Sequence, residues 1–137
     1  MSFSMSINFN GNCRDAVTFY AKVFGQKEPH FLTYGEGDTS YDPNYQVSET
    51  IKDWVMFTNL NIADTVVEFS DMPDTFEFIR GNSMFLSLTY TDLEEAKNVF
   101  VQLSEHGQVF VPFAEIPGTG FYGMLVDQFG LSWTIKA

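Results

Sequence analysis

The chain has 137 residues, a length that fits one domain with a substantial buried core. Eighteen acidic residues against seven Lys and Arg give a net charge of −11. Such a charge repels phosphate backbones and anionic lipid, which argues against a nucleic-acid or membrane partner. The single cysteine, Cys13, excludes an internal disulfide and a cysteine-based zinc site.

The first ten residues, MSFSMSINFN, have neither a basic leader nor an unbroken apolar run. The sequence therefore predicts no secretion signal and no membrane anchor, and we expect the protein in the cytoplasm. Aromatic residues reach 17%, with 15 Phe. This high aromatic content has two interpretations: the aromatic residues form a Phe-rich core, or they form the walls of a ligand pocket.

In the first half of the chain the sequence predicts one strand, one helix and then three strands. Apolar and polar residues alternate over residues 3–9, which predicts a half-buried strand. Asn12 and Asp15 then resemble a helix cap with its acidic partner, and Gly25 ends the helix. Three further strands are predicted at residues 28–34, 54–61 and 65–70. The polar, acidic segment 35–49 is too long for a hairpin and is a candidate lid.

The second half repeats this order. A strand is predicted at 84–91, Asp92 and Glu95 form a capping box, and His106 with Gly107 closes the helix. Three strands follow at 108–112, 121–126 and 131–136, the last two joined by a turn over residues 127–130. The helices of the two halves align at a constant offset, pairing Asn12 with Asp92, Ala16 with Ala96 and Tyr20 with Phe100.

The pattern predicts an α+β fold of two βαβββ modules in one domain, residues 1–137. The first module covers residues 1–71, the connector residues 72–82 and the second module residues 83–137.

Two segments carry a family resemblance. The stretches NFNGNCRDAVTFYAKVFG (8–25) and GMLVDQFGLSW (123–133) resemble the PhnB-like branch of the vicinal oxygen chelate superfamily. That superfamily includes glyoxalase I, extradiol dioxygenases and bleomycin-resistance proteins. Members of this branch often carry the label 3-demethylubiquinone-9 3-methyltransferase. We do not expect that activity here, because the sequence has no glycine-rich segment for a methyl-donor nucleotide.

The resemblance implies two modules that form a glyoxalase/bleomycin resistance/dioxygenase-like cleft. Enzymes of the superfamily hold one metal there through His or Glu from the first and last strand of each module. In this sequence the corresponding positions are Met5 or Ser6, Glu68, Leu86 and Thr134. One ligand in four does not hold a divalent ion, so we expect no metal and no other cofactor. Glu68 is then either a polar group in the cavity or an outward-facing strand residue.

The leading hypothesis is a metal-independent protein that binds a small molecule, as bleomycin-resistance proteins do. The acidic charge favours a cationic or aromatic ligand, although it is also typical of a surface that only keeps a protein soluble. The alternatives are a superfamily enzyme, of lyase or dioxygenase type with an unknown substrate, and a structural or regulatory partner protein. The expected ligand-binding residues are polar groups and two apolar walls: Ser6, Asn8, Phe57, Glu68, Tyr122 and Thr134.

Two further expectations concern assembly and the cysteine. The resemblance implies a homodimer with the N-terminal strand near the contact. The apolar residues Phe3, Met5, Ile7 and Phe9 either supply part of that contact or pack under the first helix. Cys13 lies in the first turn of the predicted helix, where a thiol pKa can fall. Because the sequence shows no neighbouring base, the interpretation of Cys13 as a small spacer is favoured over that as a nucleophile.

Overall fold

A computed structural model of the protein describes residues 1–38, 43–44 and 46–137. These residues form two compact units, Met1–Phe78 and Ile79–Ala137. The candidate lid at 35–49 includes residues 39–42 and 45, which lie outside the described residues. The predicted limits of the two modules and their connector stay a prediction.

The first unit contains one helix and a four-stranded mixed sheet. Its elements are β1 (Met5–Phe9), α1 (Cys13–Val23), β2 (Leu32–Thr33), β3 (Val55–Ile62) and β4 (Thr65–Asp71). The strand order is β1-β4-β3-β2, with β1 parallel to β4 and the other pairs antiparallel.

The second unit repeats the plan. Its elements are β5 (Leu86–Thr89), α2 (Leu93–Ser104), β6 (Gln108–Ile116), β7 (Gly120–Val126) and β8 (Ser132–Lys136). The order β5-β8-β7-β6 again pairs the first and last strands in parallel. The predicted α+β class with two βαβββ modules is confirmed.

An aromatic cluster fixes α1 on the first sheet. Phe9, Tyr20 and Phe69 lie with ring centroids 6.1–6.5 Å apart, and each is at most 2% exposed. Edge and offset contacts of this kind add to the burial of large apolar side chains. Of the two interpretations of the β1 apolar face, packing under the helix is therefore correct for Phe9. Phe3 lies outside the strand and is exposed.

Three strands differ from the prediction by four residues or more. One is β5, which spans Leu86–Thr89 and not the predicted 84–91. The segment predicted at 28–34 is a strand only at Leu32–Thr33. Pro29 has no N–H to donate to a ladder, and the His30 carbonyl accepts a hydrogen bond from the Thr58 hydroxyl at 2.8 Å. The segment predicted at 108–112 continues to Ile116 as β6. It tolerates Pro112 because β6 is an edge strand whose pairing with β7 shifts register on both sides of Val111.

Asp71, at the end of β4, joins three segments of the first unit. Its Oδ1 accepts the Gly11 N–H at 2.7 Å and the Cys13 N–H at 3.0 Å, and its Oδ2 accepts the Val55 N–H at 2.9 Å. The side chain is 1% exposed. Burial raises the pKa of Asp71 above its ordinary value, while these three hydrogen bonds and the Arg14 charge oppose the shift.

This arrangement corrects the predicted cap of α1. Asn12 occupies the N-cap position as predicted, but its side chain makes no capping hydrogen bond, and the carboxylate of Asp71 accepts the first helical N–H instead. In α2 the predicted cap by Asp92 is confirmed, because Asp92 Oδ1 accepts the Glu95 N–H at 2.9 Å.

Replacing Asp71 by Asn should destabilise the protein by roughly 1–3 kcal/mol, since the amide group presents a donor where the carboxylate accepts a backbone N–H. Urea denaturation with an unchanged m-value measures the loss. The matched control is Asp74→Asn, which removes the same charge from an exposed side chain bonded to Ser48. Equal stabilities of the two variants would contradict the role of Asp71.

Candidate functional site

The face of the first sheet that points away from α1 carries polar side chains. Along β4, Val67 and Phe69 are buried, and Phe69 contacts Tyr20 of α1. Because neighbouring residues of a strand point to opposite faces, Glu68 and Ser70 lie on the other side. We call this other side of β1, β4 and β3 the open face.

Two hydrogen-bonded pairs connect β1 to β4 on the open face. Ser6 lies beside Glu68 in the parallel ladder, and its hydroxyl donates to Glu68 Oε2 at 3.3 Å. One step along the strands Asn8 lies beside Ser70, whose hydroxyl donates to Asn8 Oδ1 at 2.7 Å. The first pair is exposed and the second is partly buried. The structure therefore brings the predicted residues Ser6, Asn8 and Glu68 together.

Strand β3 extends the open face by one strand. Asn59 lies opposite Glu68 in the antiparallel ladder and is exposed. Phe57, two residues earlier and hence on the same face, is 42% exposed and lies opposite Leu32 of β2. The sequence analysis included Phe57 but not Asn59. The alternation of β3, in which Thr58, Leu60 and Ile62 are buried, places both Phe57 and Asn59 on the opposite face and could have identified Asn59.

The second unit has a comparable pair. Thr134 of β8 lies beside Ser87 of β5, and its hydroxyl donates to Ser87 Oγ at 2.8 Å. Tyr122 pairs with Lys136, two residues beyond Thr134, so Tyr122 and Thr134 share one face of the second sheet. The buried Trp133 and Ile135 occupy the other face. Ser6, Asn8, Phe57 and Glu68 thus belong to one unit, and Tyr122 and Thr134 to the other.

On β5 the residue beside Thr134 is Ser87. Leu86, which the sequence analysis assigned to a ligand position, lies beside Trp133, on the opposite face from Thr134. In β1 the residue beside Glu68 is Ser6, and not Met5. Both first strands therefore place a serine hydroxyl beside the predicted residue of the last strand, Glu68 or Thr134.

The donor set at these positions does not fit a resident divalent metal. In the first unit one hydroxyl, that of Ser6, accompanies the single carboxylate of Glu68, and in the second unit Ser87 and Thr134 supply only neutral hydroxyls. Sites for Zn²⁺ and similar ions use several His, Cys, Asp or Glu ligands. Within residues 1–38, 43–44 and 46–137, no group of three or more such side chains is placed to hold an ion.

Cys13 lies at the first position of α1 and is fully buried. Burial raises the pKa of its thiol, and the nearby Asp71 carboxylate raises that pKa further, against a smaller opposing effect of Arg14. The thiol therefore stays protonated at neutral pH, which agrees with a packing role and not with an activated nucleophile.

The described part of the chain also contains no helix that is long and apolar enough to cross a membrane.

Comparison with known proteins identifies the family. A family model described as 3-demethylubiquinone-9 3-methyltransferase matches residues 1–136. Protein YjdN of Escherichia coli (strain K12) is 26% identical over 144 residues, which cover 99% of this chain and 95% of that protein.

Solved structures share the fold. Protein PA1353 from Pseudomonas aeruginosa has a TM-score of 0.86 at 24% identity, over 99% of this chain and 96% of its own. The PhnB protein from Bacillus cereus has a TM-score of 0.73 at 22% identity, over 99% and 98%. A glyoxalase/bleomycin resistance protein/dioxygenase family enzyme from Burkholderia phytofirmans PsJN has a TM-score of 0.59 at 15% identity, over 96% and 93%. The chain belongs to the 3-demethylubiquinone-9 3-methyltransferase family and has the glyoxalase/bleomycin-resistance fold.

Proposed function

We propose that this protein binds a small organic molecule without a metal, through Ser6, Asn8, Phe57 and Glu68 on the open face. Tyr122 and Thr134, which share one face of the second sheet, are proposed as ligand-binding residues of the second unit. The observation that carries the proposal is the hydrogen bond from Ser6 to Glu68. The Glu68 carboxylate is half-buried and has this one hydroxyl partner, at a position where related enzymes hold a metal.

The charge of the open face favours a cationic ligand. Glu68 is surrounded there by the neutral groups Ser6, Asn59 and Ser70, so an ammonium group would meet one negative charge and several hydrogen-bond partners. The net charge of −11 adds a long-range attraction for cations.

Phe57 gives the same face an apolar contact. It lies diagonally across the ladder from Glu68, and such neighbours are about 7–8 Å apart, which is within reach of an aromatic or long side chain. A ligand that joins an amine to an aromatic ring would therefore meet the carboxylate and the ring of Phe57 together. We expect ligands of this kind and not simple anions.

A thermal-shift screen of aromatic amines tests the proposal. An amine that binds only the folded state should raise the melting temperature of the wild-type protein, by an amount that grows with its concentration. Glu68→Gln keeps the shape but removes the charge, and should weaken binding about tenfold or more, the effect of losing one charged hydrogen bond.

The matched control is Glu77→Gln, which removes the same charge from an exposed residue outside the sheets. Its melting temperature should rise with the amine as that of the wild type does. If the Glu68 and Glu77 variants respond alike, Glu68 is not part of the site.

The rival hypothesis is a metal-dependent enzyme of the superfamily, of lyase or dioxygenase type. Metal analysis of protein purified without chelator separates the two. A stoichiometric content of zinc, nickel, iron or manganese that a chelator removes together with ligand binding would favour the enzyme. Amine binding that is unchanged by chelator supports the metal-independent proposal.

We also propose that the protein forms a homodimer. Several large apolar side chains of the described residues are exposed: Phe76, Ile79, Met84, Phe85, Val109 and Phe110. Exposed apolar groups of this size are typical of surfaces that a partner covers. Phe9 is not part of the proposed contact, because it packs beneath α1.

Sedimentation over a concentration series should show a species of twice the 15.6 kDa protomer mass. Added salt should not dissociate it, since screening weakens the repulsion between two acidic chains and leaves apolar burial intact. A single species near 15.6 kDa at every concentration would exclude the dimer.

A further inference from the structure

The loop between β1 and α1 contains the sole Asn-Gly pair of the sequence, Asn10–Gly11. Both residues are exposed. In such pairs the backbone nitrogen of the glycine can attack the side-chain carbonyl carbon of the asparagine, since glycine has no Cβ to obstruct the approach.

The reaction is balanced without any further reagent except water. The Gly11 nitrogen loses its proton and forms a bond to Asn10 Cγ, and the bond from Cγ to the side-chain nitrogen breaks to release ammonia. Water then opens the resulting succinimide ring to aspartate or isoaspartate. The nucleophile is the deprotonated amide nitrogen, so any group that disfavours a negative charge on that nitrogen slows the reaction.

The structure places such a group directly at the nucleophile. Asp71 Oδ1 accepts the Gly11 N–H at 2.7 Å, which puts a carboxylate beside the nitrogen that would have to become negative. The carboxylate is also far too weak a base to remove an amide proton. In addition, a Cβ on Gly11 would lie 2.8 Å from the Trp54 ring, so the indole packs closely against this peptide.

We propose that Asn10 is a latent succinimide-forming site, and that the hydrogen bond from the Gly11 N–H to Asp71 keeps it unreactive in the folded protein. Conversion would add a carboxylate close to Asp71. Where the product is isoaspartate, the backbone between β1 and the start of α1 would also be one carbon longer. The loop that connects Asn8 of the open face to α1 would then lose its fit to Asp71.

The test follows the formation of aspartate and isoaspartate by peptide mapping during incubation at mildly alkaline pH. In urea, Asn10 should convert rapidly. In the folded wild-type protein it should convert more slowly than Asn82, an exposed residue of the pair Asn82–Ser83, despite the more reactive sequence at Asn10. Conversion of folded Asn10 at the rate seen in urea would overturn the proposal.

Two variants separate the effect of the carboxylate from a general loss of stability. Asp71→Asn removes the negative charge, and Tyr34→Phe removes the 2.7 Å hydrogen bond that the Tyr34 hydroxyl donates to the Asp71 backbone carbonyl. Each rate is corrected for the unfolded fraction, taken from urea denaturation of the same variant.

After this correction Asp71→Asn should convert Asn10 roughly tenfold faster than wild type or more, the factor expected from one lost charged hydrogen bond. Tyr34→Phe should stay near the wild-type rate. Equal corrected rates in both variants would show that folding alone protects Asn10, and would overturn the role of Asp71. If Asp71→Asn does not fold, conversion of Asn10 faster than that of Asn82 in the folded wild type would still overturn the proposal.

Discussion

The carboxylate of Asp71 holds together the three segments on which the first unit depends. It accepts one N–H from the loop after β1, one from the first turn of α1 and one from the first residue of β3. Burying a carboxylate without such partners costs free energy. The buried position of Asp71 therefore depends on the three hydrogen bonds that its side chain accepts. Tyr34 adds a fourth connection through the Asp71 carbonyl.

The side chains on the open face depend on the register in which β1 pairs with β4. Asp71 lies beside Phe9 at the end of the parallel ladder, and the same ladder places Ser6 beside Glu68 and Asn8 beside Ser70. A slip of one residue would turn each of these side chains to the opposite face. In the second unit the Asp127 carboxylate has a similar role. It accepts hydrogen bonds from the backbone N–H groups of Phe129 and Leu131 and from the indole N–H of Trp133.

The sequence predicted the repeated βαβββ order and most strands, because alternation and helix signals are local. It missed what depends on distant partners. Asn12 looked like a cap, while the group that accepts the N–H of Cys13 is Asp71. In the alternation of β4, Asp71 points to the same side as the buried Val67 and Phe69. The sequence pattern alone could therefore have predicted that this carboxylate is buried. On β5 the sequence analysis named Leu86, one residue before the Ser87 that lies beside Thr134, because the path from Ser6 to α1 is one residue longer than that from Ser87 to α2.

We propose that the open face binds an organic cation where related enzymes bind a metal. Backbone amide NMR spectra test it most directly, with zinc and the aromatic amine of largest thermal shift added in separate titrations. The amine should shift the resonances of Ser6, Asn8 and Glu68 in a saturable way, and stoichiometric zinc should leave them unchanged. Saturable shifts of these resonances with zinc, and none with the amine, would contradict it.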